Sequence, residues 1–137
     1  MRPRILPAVM LAITGAVAMS CGGVTDPSKN VTETFSGTIQ PGRTDTAKPF
    51  NVTSTGEFTV KLTALAPVTG TPVGIELDQD PSNGNCQNLL TYQRNAFATL
   101  NVQALSGQIF ANHYCVQAYD VGALTAASTY TITISHP

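Results

Sequence analysis

The feature that most limits the fold is strict alternation of residue character near the C-terminus. In the segment 114–119, Tyr114, Val116 and Ala118 alternate with Cys115, Gln117 and Tyr119. In 130–135, Tyr130, Ile132 and Ile134 alternate with Thr131, Thr133 and Ser135. A period of two puts one set on a buried face of a strand and the other on the opposite face. The same Thr- and Val-rich texture runs back to Val31, and no ten-residue stretch of it carries a convincing helical period.

About eight strands are expected. The first, 31–39, carries Phe35 and Ile39 on one face and ends at the Pro41-Gly42 turn. Residues 47–52 follow, with Pro49 marking an edge or an irregular start. In 56–65, Phe58, Val60, Leu62 and Ala64 are expected inside; in 72–77, Val73, Ile75 and Leu77, with Glu76 outside. A polar loop at 78–85 leads to short strands at 88–92 and 96–102, the latter with Ala98, Leu100 and Val102 on one face. Gln108-Ile109-Phe110 then runs into the strand at 113–119, and the last strand begins at Ser128. Strands at this spacing, joined by Gly, Pro and Asn turns, predict an all-β fold, an antiparallel β-sandwich of two sheets.

Ahead of this domain the texture differs. Arg2 and Arg4 precede an apolar run from Ile5 to Met19, shorter than the roughly 20 residues a membrane span needs, which suits a signal peptide. Ser20-Cys21-Gly22-Gly23 resembles the lipobox of bacterial lipoproteins, although Ala18-Met19 stands where leucine and a small residue are more usual. The resemblance implies cleavage after residue 20 and lipid on the Cys21 thiol, several acyl chains holding a membrane stably where one would not. It also implies a place in the bacterial cell envelope and not in the cytoplasm, with the outer membrane or cell surface favoured over the cytoplasmic membrane by the residues after Cys21. An ordinary secretory signal cut near Ser20 is the competing reading. Residues 21–30, the cysteine and a Gly-, Pro- and Ser-bearing stretch, form a flexible tether, and residues 31–137 form the domain.

After residue 20 the chain keeps five basic and eight acidic side chains, a net charge of −3, with no basic cluster. That excludes nucleic acid as a partner, since phosphate binding needs grouped Lys and Arg. With Cys21 assigned to lipid, Cys86 and Cys115 remain as an even pair in an oxidising compartment. Their bridge would close a loop of about thirty residues, a stabilisation of roughly 3–4 kcal/mol. A metal held by the two cysteines would lack further ligands nearby except His113.

Three groups of residues could carry chemistry. Asp78, Asp80 and Asn83 offer hard oxygens to calcium, though Gly84 falls one place late for an EF-hand and Leu89 stands where its Glu would be. Turn formation accounts for the same residues, and no other cofactor is implied. Tyr92, Arg94 and Tyr119 form a candidate exposed aromatic and polar patch for a ligand. His113 and Asp120 are seven residues apart on one strand, roughly 23 Å if it is straight, which argues against a catalytic pair; Asp120 is instead expected to cap the turn into Gly122, and His136, at the chain end, to be solvated.

Phe35-Ser-Gly-Thr-Ile39, the Pro-Gly turn, Phe50-Asn-Val52 and Gly56-Glu-Phe-Thr-Val-Lys-Leu62, in that order, resemble the opening of the bacterial pre-peptidase C-terminal domain. Tyr114-Cys-Val-Gln-Ala-Tyr-Asp-Val-Gly122 and Tyr130-Thr-Ile-Thr-Ile134 are similar to its last hairpin, so the resemblance covers most of 33–135. It implies a jelly-roll-like sandwich; some members bind collagen or other insoluble polymers, with calcium stiffening the fold. In this sequence no peptidase domain and no dense acidic cluster at the N-terminal linker are read, so protease-linked roles do not transfer automatically. The expectation is a non-catalytic module, anchored in the membrane by lipid, that attaches to or recognises an envelope glycan, polymer or protein. The alternative is a structural or chaperone-like helper of an exported partner.

Overall fold

A computed structural model of the chain describes residues 27–137; the signal, Cys21 and most of the tether lie outside them. A single turn of 3-10 helix, Pro27–Lys29, precedes eight strands: β1 (Val31–Ile39), β2 (Lys48–Val52), β3 (Gly56–Ala66), β4 (Val73–Gln79), β5 (Leu90–Ala98), β6 (Gln103–Ile109), β7 (Asn112–Tyr119) and β8 (Ser128–His136). Among the described residues no helix is long and apolar enough to cross a membrane.

The strands form two four-stranded antiparallel sheets, in the orders β1-β8-β3-β6 and β2-β7-β4-β5. β1 pairs with β8, β2 with β7, β3 with β6 and β4 with β5, so the chain is one long antiparallel ribbon with the β4–β5 connection at its tip. Folding the ribbon over itself adds the β3–β8 and β4–β7 ladders. This is the winding of a jelly roll, and the expected sandwich is met.

The alternation explains why two sheets form. Val60, Leu62, Ile132, Ile134 and Tyr130 of the first sheet meet Val73, Ile75, Leu77, Tyr114, Val116 and Ala118 of the second in one core. Phe58, Phe50 and Tyr114 supply bulk, with Phe50 stacked on Tyr114 at 5.8 Å between ring centres. The buried Tyr130 hydroxyl donates to Asp45 at 2.8 Å, which satisfies the polar end of an otherwise apolar core residue.

Four expectations need correction. A register shift in β3 between Leu62 and Ala64 turns Ala64 out and Leu65 in. The strands expected at 88–92 and 96–102 are one strand, β5, followed by a turn in which Val102 is exposed. Its polar middle hid it: Gln93 and Asn95 turn inward, and their amides donate to the Ser106 and Ala104 carbonyls of β6 at 3.0 and 2.9 Å. β6 itself begins at Gln103, well ahead of the expected 108–110. Finally, His136 is buried, not solvated. Its Nε2 shares a 2.9 Å hydrogen bond with Glu33 of β1, and its ring packs on Phe50.

The Cys86–Cys115 disulfide is formed, across a Cα–Cα distance of 5.9 Å and 29 residues of chain. Replacing both cysteines by alanine should lower unfolding stability in urea by about 3–4 kcal/mol, the loop-entropy value. A loss below about 1 kcal/mol would mean that the loop holds its shape without the bridge.

Candidate functional site

Because Val73, Ile75 and Leu77 point into the core, Gly74, Glu76 and Asp78 lie on the outer face of the second sheet. The same parity puts Cys115, Gln117 and Tyr119 of β7 beside them. Register then fixes the pairs: Gly74 with Tyr119, Glu76 with Gln117, Asp78 with Cys115. From β5, Arg94 stands opposite Glu76 and Thr91 opposite Asp78. Six polar side chains and a disulfide thus share one rigid face.

The Tyr119 ring lies flat across Gly74, where any Cβ would overlap it. Its other side is covered by Arg94, whose guanidinium carbon sits 4.5 Å from the ring centre. Arg94 Nε donates to the Tyr119 hydroxyl at 2.6 Å and lies 3.9 Å from Glu76 Oε2. Glu76 Oε1 accepts the Thr91 hydroxyl at 2.7 Å, and Gln117 Nε2 donates to Asp78 Oδ2 at 3.0 Å. With Tyr119 sandwiched and only 8% exposed, the Arg94 side chain, 55% exposed, meets solvent beside the largely covered Glu76.

The loop after β4 is tied to this face by Cys86, and Asp78 beneath it is buried. Burial, and then repulsion from Glu76, push its carboxyl up to about 6, against the opposing pull of Thr91, Arg94 and Gln117. Two residues on, Asp80 behaves oppositely. Burial alone would raise it, but the Ser82 hydroxyl and the N–H groups of Cys86, Ser82 and Gly84 outweigh that and hold it down at about 2. Asn83 and Gly84 take the left-handed backbone that wraps the loop around this carboxylate.

Both carboxylates among the three calcium candidates are engaged in bonds within the fold, and Asn83 contributes its left-handed backbone to the same loop. Asp80 is committed to its own loop, and Asp78 to Gln117 on the sheet. Among the described residues the one cluster with ligand spacing is Asp80 with Cys86 and Cys115, whose sulfurs are bonded to each other. His113 and Asp120 also stay apart, at the two ends of β7. Asp120 caps the turn as expected, accepting the N–H groups of Gly42, Gly122, Ala123 and Leu124.

Of the three predicted ligand residues, Arg94 and Tyr119 come together and Tyr92 does not. The β4–β5 register shifts between Leu77 and Asp78, and this bulge turns Tyr92 into the sandwich. There it meets Tyr114 edge-on at 5.5 Å and donates its hydroxyl to the Gln108 carbonyl at 2.6 Å. Tyr119, expected as an exposed ring, has both faces taken. Sequence reasoning missed the role of Gly74, Asp78, Thr91 and Gln117 here; the outward parity of Glu76 and of Gln117 was the available signal. Elsewhere, a cleft of about 410 Å³ between β1, β2 and the end of β8 is lined by Lys29, Asn30, Glu33, Asn51, Ser54 and His136. Its two strongest polar groups, Glu33 and His136, are bonded to each other.

No known family model matches the chain, and no curated protein is similar enough to match it.

The two neighbouring aspartates give opposite pH signatures. Asp78, raised from 3.8 to about 6, weakens the fold as pH climbs from about 4 to 6, because only the unfolded chain ionises freely there. Asp80, lowered to about 2, contributes stability above pH 4 that is lost as pH falls toward 2. Asp78→Asn should therefore stabilise the domain at pH 7 and not at pH 4, while Asp80→Asn should destabilise it at pH 7. Chemical denaturation of both variants at the two pH values checks the signs.

Proposed function

We propose that this chain is a non-catalytic, lipid-anchored β-sandwich that attaches to or recognises a hydroxyl-rich polymer at the bacterial cell envelope. The observation that carries the reading is the Arg94 guanidinium clamped over Tyr119 beside Glu76. A guanidinium fork offers donors and a planar face, and the adjacent carboxylate offers acceptors. A strongly anionic ligand would meet Glu76 and be repelled. A glycan presents hydroxyls that both donate and accept, which suits a face of mixed sign.

Three further points support the reading. The disulfide belongs in an oxidising compartment. The apolar run ending at Ser20-Cys21-Gly22-Gly23 supplies the export signal and the anchor. The ordered motifs across 33–135 are read as similar to those of the pre-peptidase C-terminal domain, and its polymer-binding members give the analogy. Several polar groups on the outer face hold one another in place, Thr91 on Glu76 and Gln117 on Asp78, which suits a rigid recognition surface and is why recognition is proposed rather than catalysis.

Retention of the segment 22–137 on purified cell-wall polymers and insoluble polysaccharides tests the reading. Binding should fall at least tenfold in Arg94→Ala and in Gly74→Ala, which displaces Tyr119. Equal binding by wild type and Arg94→Ala, or retention on none of the polymers, would discard this face as the site. The anchor is tested separately: Cys21→Ser should move the full chain from the membrane to the aqueous fraction, and unchanged partition would return the signal to the ordinary secretory kind.

A further inference from the structure

A strand at the edge of a sheet leaves a row of backbone N–H and C=O groups without partners. The two sheets have four such edges: β1 and β6 in the first, β2 and β5 in the second. Three are closed by identifiable means. β2 is five residues long and contains Pro49, which has no N–H to donate. On β6 the carbonyls of Ala104, Ser106 and Gln108 are taken by Asn95, Gln93 and Tyr92 of β5. β5 is bent by two register shifts against β4, and its side chains reach across to β6.

β1 has none of these devices. It pairs with β8 over nine consecutive residues without a shift. It contains no Pro, Lys or Arg. Among the described residues no hydrogen bond reaches the side of its backbone that faces away from β8.

We infer that β1 pairs with β1 of a second copy, antiparallel about a two-fold axis, joining the two first sheets into one continuous sheet. Self-complementarity points to a second copy as the occupant. The one ionisable group on β1, Glu33, lies off the strand's centre, so in a two-fold antiparallel pairing about Phe35 each Glu33 meets Gly37 of the other copy and like charges are not opposed. The outward residues Thr32, Thr34, Ser36 and Thr38 are uncharged and exposed. Hydroxyl pairing of this kind already links β1 to β8, where Ser36 and Thr131 lie 3.0 Å apart. A two-fold contact of this type is closed, so it stops at a dimer.

The tether is compatible with the same arrangement; this one point rests on the lipid-anchored reading. Two copies in one leaflet require an axis normal to the membrane, which lays both β1 strands parallel to its surface. An axis normal to the membrane holds both chain starts at one height, so the nine residues from 22 to 30, reaching no more than roughly 30 Å, serve the two copies alike. The Arg94 face belongs to the other sheet and stays open on both copies, which allows two-point attachment.

All core residues lie between 39 and 134, so the segment 22–137 carries the complete fold and the test needs no lipid. Sedimentation equilibrium from micromolar to millimolar concentration should show a monomer–dimer equilibrium. The double variant Thr34→Lys/Ser36→Lys should weaken it at least tenfold, while Thr59→Lys, in the middle of the sheet, leaves it unchanged. Amide exchange in β1 should slow with concentration and that in β6 should not. A monomer throughout the range, or a dimer indifferent to the β1 lysines, overturns the inference; the first result would leave the edge to an extended segment of another protein. Neither result bears on polymer retention, so failure here is distinguishable from failure of the proposed function.

Discussion

The register of β7 against β4 is the constraint on which most of this structure depends. One alignment places Ile75, Leu77, Val116 and Ala118 in the core. The same alignment lays Tyr119 on Gly74, sets Gln117 beside Asp78 and presents Cys115 to Cys86. A slip of one residue would exchange the faces of the strand, exposing the apolar set and burying the polar one. The hydrophobic core therefore holds the outer face in place, and the candidate site inherits its rigidity from residues that never reach it.

The loops at the two ends of the sandwich are organised by carboxylates. Asp80 gathers the N–H groups of three residues in the β4–β5 loop, and Asp120 does the same between β7 and β8 while also reaching Gly42. Each replaces the sheet ladder for backbone donors that the turn would otherwise leave unpaired. Asp78 differs in kind: it faces another carboxylate under a covering loop, and its ionisation is opposed rather than supported. Two aspartates two residues apart thus behave oppositely, one stabilising a loop and one placing a partly suppressed charge on the outer face of the second sheet.

How much of this was legible depended on which rule governed each residue. The alternation of 56–62 and 130–134 could be read directly, because both strands bury one face against a continuous core. β5 could not, since its inward side chains are amides that satisfy the carbonyls of a neighbouring edge. Polarity there signals edge protection rather than exposure. Tyr92 failed for a related reason. A bulge changes the parity of a strand, and nothing in a one-dimensional pattern marks where it falls. His136 looked like a solvated chain end until Glu33, 103 residues away, was seen to reach it.

The amino-acid sequence by itself determined that this is an all-β domain, which side chains of its regular strands form the core, that the first strand starts at Val31, and which two cysteines were left to pair. These follow from local periodicity and from counting, and they need no knowledge of partners. The tertiary structure alone decided the jelly-roll winding, the inward turn of Tyr92, the burial of His136, the different partners of Asp78 and Asp80, and the meeting of Arg94 with Tyr119 and Glu76. Each of these depends on which strands lie side by side and in what register. That is settled by long-range pairing, where the free energy of burying the whole core chooses among alignments that look equivalent along the chain.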